Sequence, residues 1–459
     1  MREHIEDYSE YLYNTLYDTD KLVVELPKSS WYKINPTRGI KKSKQQIDLH
    51  KQNIELSNFF QDLYGITTYS PMLVEDNIMN FFRRNIACGG ALYPNNIYIL
   101  SKIDKTIHIY QYNPRFHTLN KLKSFKDSKS IISDKEQLIV VTSFYWKNWP
   151  KYNYFGYRLM LVDSGYVLCN ASILLSIRGI NHTILLDNEL NKKLINMLDY
   201  DISFENVIAC IKTKYDVLEN LVDIADYHNY KQFDDWDSEK IELYSNLEQK
   251  LLEFDKNIMQ PVSLNKINAL RPSERLLRIS PGGGALIANK DMCGVKLGRL
   301  IKEYRKILKR YEEFTNGTSV YLLLNKVEGL QKGLYKISEE KLIFLYSINI
   351  DNLQQIMKKN NFNLKEVQGI IFLGHKIELK DDIKNLFNYK FAQIKTGFCS
   401  QLLSFTSNQL GFWNHPILGY NLEKLEKIIK SEEKLLNMII ISEAFEMDTF
   451  STQMFEGEL

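Results

Sequence analysis

The stretch YRLMLVDSGYVLCNASILLSIRGI, Tyr157 to Ile180, returns in outline as YKFAQIKTGFCSQLLSFTSNQLGF, Tyr389 to Phe412. Laid together, Gly165 meets Gly397 and Gly179 meets Gly411. Val167, Leu168, Ala171, Leu174 and Leu175 recur at helical spacing in the first copy. Phe398, Leu402, Phe405 and Leu410 do so in the second. A helix is therefore expected in each, opening near DSGYVLCN in the first. Gly179 and Gly411 fall where a helix C-terminus favours a left-handed residue. Upstream, NNIYILSKIDKTIHIYQYN (Asn95 to Asn113) and TSVYLLLNKVEGLQKGLYKIS (Thr318 to Ser338) each read as two strands joined by a turn. The fold implied is α+β, in two tandem halves packed as an internal pseudo-dimer. Each half is an antiparallel sheet flanked by helices.

The boundary is expected near 245–262, where NLEQKLLEFDKNIMQPVSLNK ends a helical stretch with a proline. Residues 1–50 then form an N-terminal arm, 51–255 the first half and 256–459 the second. From about 181 to 245 the pattern is mainly helical, and SEKIELYSNLEQKLLEF (Ser238 to Phe254) has a cap and amphipathic spacing. The acidic, aromatic stretch DIADYHNYKQFDDWDSE lacks calcium-loop spacing and reads as a solvated loop.

Composition narrows the function classes. A net charge of +3 over 459 residues argues against a dedicated nucleic-acid binder. No uninterrupted apolar run reaches the roughly 18 residues that cross a bilayer, so no membrane association is expected. The segment MREHIEDYSEYLYN is acidic and aromatic, unlike a secretory signal. Cys88, Cys169, Cys210, Cys293 and Cys399 are scattered without a CxxC, which reads as reduced thiols in a cytoplasmic protein. The eight histidines form no HExxH, and no metal site is expected.

Two motifs point to chemistry. CGGALYP places Gly89 and Gly90 ahead of a strand, so that backbone can approach something flat or anionic with no Cβ between. Arg83 and Arg84 precede it and read as an exposed pair. Further on, WPKYNYFGYR sets Lys151 beside Tyr152, where an ammonium could favour the phenolate. A second glycine run, SPGGGALIAN (Ser280 to Asn289), has no strand after it and reads as a flexible insertion.

Taken in order, CGGALYP, the hairpin, KYxxxxYR and DSGYVLCN resemble the SagB-type (McbC/ThcOx-like) dehydrogenases of the nitroreductase-like flavoprotein superfamily. VEGLQKGLY and GFCSQLLSFTSNQLGFWNHPILGY extend the resemblance into the second half. It covers roughly residues 55–180 and 265–425. The family implies FMN held between two copies of the fold, by an arginine motif of one and an SGGALYP loop of the other. LRPSERLLR matches that arginine motif, so Arg271, Ser273 and Arg275 are the expected phosphate or pyrimidine contacts. Cys88, Gly89, Gly90, Ala91 and Leu92 form the loop, with cysteine where the family has serine. Gln401 and the HPILGY turn, with Ile417 and Leu418, resemble the flavin-edge segment. The first half lacks the arginine motif and the second lacks the glycine loop, so one composite flavin site is implied.

The resembling enzymes oxidise peptide thiazolines or oxazolines to thiazoles or oxazoles. The resemblance implies an azoline-bearing precursor peptide as substrate and a cyclodehydratase complex as partner. Whether the chain associates further is left open. Tyr152 is then the expected base at the azoline α-carbon and Lys151 the group that stabilises its phenolate. Two other readings are a degenerate flavoprotein scaffold and a general NAD(P)H nitroreductase.

Overall fold

The computed structural model describes residues 8–22, 39–41, 43, 45–52, 54–74, 77–103, 105–126, 132–133, 136–198, 201–214, 242–253, 262–264, 291–338, 341–358 and 362–443. They divide into two compact units: residues 39–264 form one, and 8–22 with 291–443 the other. Helix α1 (Tyr8–Tyr17) thus belongs with the second unit.

The first unit is built on eight strands. They are β1 (Gln45–Asp48), β4 (Asn95–Ile103), β5 (Thr106–Asn113), β6 (Thr118–Lys126), β7 (Gln137–Phe144), β8 (His182–Leu185), β9 (Glu205–Thr213) and β10 (Val262–Leu264). Their order across the sheet is β1-β6-β5-β4-β7-β9-β8-β10, with every pair antiparallel. A separate ribbon pairs β2 (Thr68–Val74) with β3 (Asn77–Arg83). The helices are α2 (Ile54–Tyr64), the single turn α3 (Trp149–Tyr152), α4 (Gly156–Ile177), α5 (Asn188–Leu198) and α6 (Glu242–Glu253).

The second unit carries β11 (Thr318–Leu324), β12 (Gly333–Ile337), β13 (Leu342–Tyr346), β14 (Gly369–His375), β15 (Phe412–Ile417) and β16 (Lys434–Glu443). Its helices are α7 (Gly294–Arg310), the short α8 (Glu312–Thr315) and α9 (Ile350–Gln354), then α10 (Ile383–Gln409) and α11 (Leu422–Ile429). The sheet runs β13-β12-β11-β14-β16-β15, antiparallel throughout.

The two sheets repeat one topology. In each, three successive strands lie side by side, β4-β5-β6 and β11-β12-β13. The next strand, β7 or β14, joins on the inner side, and a long helix, α4 or α10, follows. Two further strands, separated by α5 or α11, add in reversed order, β9-β8 and β16-β15, and in the first sheet β1 and β10 extend the two edges. The quoted stretches are α4 and α10, and Gly179 and Gly411 end them at φ +72° and +74°. The tandem α+β reading is therefore correct in topology and not merely in rhythm.

Two expectations are corrected. Helix α4 opens at Gly156, ahead of DSGYVLCN, and nearly all of its residues are buried, so it is a core helix with no polar stripe. Trp149–Ile177, though interrupted by Arg158 and Asp163, passes by length and composition for a membrane-crossing helix, but 94% of its apolar 18-residue window is buried inside the protein. Among the described residues, the stretch after residue 181 is not mainly helical, because β8 and β9 lie there around α5. Strand β9 is buried on both faces and so shows no period-two signal.

Helix α1 is tied into the second unit by its apolar and polar faces alike. Tyr11, Leu12 and Leu16 are buried. The Thr15 hydroxyl and the Tyr389 phenol of α10 share a buried hydrogen bond of 2.6 Å. Tyr17 donates to both Glu426 carboxylate oxygens on α11, at 3.2 and 3.1 Å.

Candidate functional site

The site builds from the connection between β3 and β4. Cys88 leads into a tight turn, Gly89–Ala91. Gly90, Ala91 and Tyr93 have φ of +66°, +56° and +50°. Two of these are non-glycine, and each such residue costs on the order of 1–3 kcal/mol unless its surroundings hold it.

The surroundings do hold it. The Tyr93 amide donates to the Cys88 sulfur at 2.9 Å, and the Cys88 thiol donates to Oδ2 of Asp163 on α4 at 2.9 Å. The Gly89 amide points at Oδ1 of the same carboxylate at 3.4 Å. On the other flank, the Arg84 amide donates to the Tyr93 phenol at 3.0 Å. The Arg84 guanidinium lies over the rings of Tyr64, at 3.9 Å, and Tyr93, at 4.5 Å. Arg84 is thus buried, not the exposed half of a surface pair, and it braces the turn from the side of α2. Helix α2 is itself pinned to α4, where the Asn170 amide caps the carbonyls of Asp62 and Leu63 at 2.7 and 2.9 Å.

The turn meets the second motif directly. A Cβ added at Gly90 would lie 2.6 Å from the Tyr152 hydroxyl and 2.7 Å from Lys151 Nζ. A side chain there would have to displace both groups, and the positive φ also favours glycine. Sequence reasoning selected Cys88–Leu92 and Lys151–Tyr152 separately, and the fold brings them into contact.

Lys151 and Tyr152 sit on α3, which Pro150 starts. The turn ends at Asn153, a non-glycine residue at φ +42°. Helix α6 holds this end: the Tyr244 hydroxyl donates to the Asn153 carbonyl. The Tyr244 ring meets those of Trp149 and Tyr145 edge-on, with centroids 5.9 and 5.3 Å away. Glu248, also on α6, accepts from the Tyr157 hydroxyl at 2.8 Å and the Asn206 amide at 2.6 Å.

The electrostatics depart from expectation. Burial pushes the Tyr152 phenol well above its ordinary pKa, and the neighbouring Cys88 and Asp163 push the same way. Lys151 Nζ lies 5.4 Å from the ring centroid and does not reverse that direction. The expected phenolate is therefore a phenol. Burial and the Asp163 carboxylate likewise push the Cys88 thiol up.

Of the other expected site residues, Gln401 is buried on α10, Ile417 closes β15 and Leu418 follows it, all in the second unit. Arg271, Ser273 and Arg275 lie outside the described residues, as do the SPGGGALIAN run and the acidic stretch Asp223–Glu239. Asp163 was missed as a site residue. Its signal was present, a lone carboxylate inside the apolar run RLMLVDSGYVL.

With this geometry in hand, the solved structures can be compared. A structure described as a nitroreductase from Anabaena variabilis superposes with a TM-score of 0.70 at 15% identity, over 96% of this chain and 100% of that one. The fold is nitroreductase-like. At lower similarity, the E. coli microcin synthetase McbBCD complex with truncated pro-MccB17 bound gives a TM-score of 0.28 at 13% identity, over 45% of this chain and 90% of that one. A Ralstonia eutropha structure, also described as a nitroreductase, gives 0.27 at 14%, over 42% and 87%. No protein-family model and no curated protein matches the sequence.

The nitroreductase-like unit presents what a flat, hydrogen-bond-accepting group such as a flavin ring would need. Gly90 is exposed backbone with no side chain, a lysine ammonium and a protonated phenol stand beside it, and the Asp163 oxygens are occupied by Cys88 and Gly89.

Proposed function

We propose that the chain is an FMN-dependent dehydrogenase that oxidises peptide thiazolines or oxazolines to thiazoles or oxazoles, within a ribosomal peptide natural-product pathway of the thiopeptide or bacteriocin kind. The observation that carries this reading is the contact of the Gly90 backbone with Lys151 and Tyr152. In the family that the sequence resembles, the corresponding motifs serve azoline oxidation.

FMN, when bound, would supply the hydride acceptor. The chain's own residues do the rest. Gly89 and Gly90 offer a side-chain-free edge for the ring, and Cys88, Ala91 and Leu92 are proposed to complete the loop around it. Arg271, Ser273 and Arg275 are proposed for the phosphate or pyrimidine groups through charge-assisted hydrogen bonds. Gln401, Ile417 and Leu418 are proposed at the flavin edge. Tyr152 remains the residue proposed to take the α-carbon proton, at Oη, with Lys151 beside it. Its raised pKa makes it a strong base that is rarely ionised at neutral pH, so the rate should climb with pH well into the alkaline range. The proposed partners are an azoline-bearing precursor peptide and the cyclodehydratase complex that makes it, and the proposed setting is the cytoplasm.

The test is anaerobic mixing of the flavin-loaded protein with a thiazoline peptide. The flavin band should bleach with wild type and bleach far more slowly with Tyr152→Phe. An unchanged rate in Tyr152→Phe removes that residue from the role, and no bleaching with any azoline peptide removes the function. A second reading, an NAD(P)H-dependent nitroreductase, takes its support from the fold likeness to a structure described as a nitroreductase. NADPH-driven bleaching without peptide would select it. A colourless protein that takes up no FMN would leave only a scaffold role.

A further inference from the structure

Asp163 stands where three parts of the site converge. It projects from α4, a helix whose only other charged side chain is Arg158, and it is 1% exposed. Its two oxygens reach different atoms of one turn, the Cys88 thiol and the Gly89 amide. The same sulfur accepts the Tyr93 amide, so one carboxylate reaches three residues of the turn, one of them in a left-handed conformation. Its charge is felt across the turn as well, by Cys88, Tyr64 and Tyr152.

We propose that Asp163 is the positioning residue of this site: it shapes the glycine turn through Cys88 and Gly89, and holds the proton on the Cys88 thiol that touches it. The inference deepens the proposed function by naming what sets the geometry of the Gly90 turn and the protonation of Cys88, but its test needs neither flavin nor substrate.

The groups around Cys88 and Tyr152 define what must be separated. Asp163 faces them from α4, Lys151 stands beside Tyr152 on α3, Tyr64 comes from α2, and Arg84 and Tyr93 come from the two ends of the turn. Among these, Asp163 is the acid whose oxygen touches the thiol. The thiolate is the reactive form of cysteine, so a carboxylate at 2.9 Å suppresses its alkylation. Removing the charge while keeping the shape, as in Asp163→Asn, should release it. A lower pKa also weakens the nucleophile, so the gain at a fixed pH is smaller than the gain in thiolate.

Two measurements on the protein without flavin test the idea. The first is the pH profile of iodoacetamide alkylation at Cys88, read by peptide mass mapping, with half-exposed Cys293 in the same molecule as reference. Cys88 in Asp163→Asn should alkylate about tenfold faster relative to Cys293 at pH 8, with its profile displaced to lower pH. An unchanged Cys88-to-Cys293 ratio in a folded Asp163→Asn protein overturns the electrostatic half. The second is amide hydrogen exchange at Gly89 to Tyr93. Exchange should be at least tenfold faster in Cys88→Ala and near wild type in Cys88→Ser, which restores a donor and acceptor at that atom. Equal protection in both Cys88 variants overturns the positioning half. A flavin-binding failure would count against the proposed function without touching either result.

Discussion

Gly90→Ala separates backbone strain from site geometry. Two costs apply. An alanine at φ +66° pays the left-handed penalty, about 1–2 kcal/mol. Its Cβ would also lie 2.6 and 2.7 Å from the Tyr152 hydroxyl and Lys151 Nζ. Both contacts are the far ends of side chains, so they move aside rather than break the fold, and the second cost falls on the site. Gly411→Ala supplies the control: its φ is +74°, and an added Cβ there meets nothing within 4 Å. Both variants should therefore lose about 1–2 kcal/mol, which for a unit of roughly 200 residues lowers Tm by about 2–8 °C. Only Gly90→Ala should weaken FMN binding, read by quenching of flavin fluorescence, by tenfold or more. Matching stability losses together with undiminished flavin affinity in Gly90→Ala would refute the argument that this backbone must stay bare.

Other outcomes follow from the same structure. Leu12→Ala on α1 removes a fully buried side chain and should cost about 2–5 kcal/mol in urea unfolding of the second unit. Tyr244→Phe deletes the donor to the Asn153 carbonyl; it should cost about 1 kcal/mol and broaden the Tyr152 environment in near-ultraviolet circular dichroism. His117 and His375 are held neutral by burial, each with its pKa lowered to about 3. Their unfolded forms take up protons below about pH 6.5. Stability should therefore fall as pH drops from 6.5 towards 3, by up to roughly 1.4 kcal/mol per pH unit for each histidine. His117→Gln should remove its share of that slope in denaturant midpoints measured from pH 7 to 5.

Much of the architecture was readable because it was written twice. β4-β5 and β11-β12 each read as two apolar strands joined by a turn, and α4 and α10 end in glycines at matching places. What escaped reading was what burial had made uniform. Strand β9 is covered on both faces, so it shows no period-two signal, and α4 is covered on all sides, so its spacing announced a helix but not where it begins or that no face meets solvent. Arg84 misled for a related reason. Its burial depends on Tyr64 and Tyr93, rings on either side of it along the chain, and charge alone suggested solvent. Gly90, Lys151 and Tyr152 were identifiable as motifs. The sign of the Tyr152 shift was not, because it is set by enclosure and by Asp163, which no spacing rule ties to the dipeptide.

The membership of α1 has a consequence for biosynthesis. Its partners Tyr389 and Glu426 leave the ribosome long after it does, and the whole 39–264 unit is made in between. At ~5–20 residues per second, Leu12 and Leu16 wait on the order of tens of seconds for the surface that covers them. The apolar face of α1 is therefore exposed on the nascent chain over that interval, and slow codons within the second unit would lengthen that exposure.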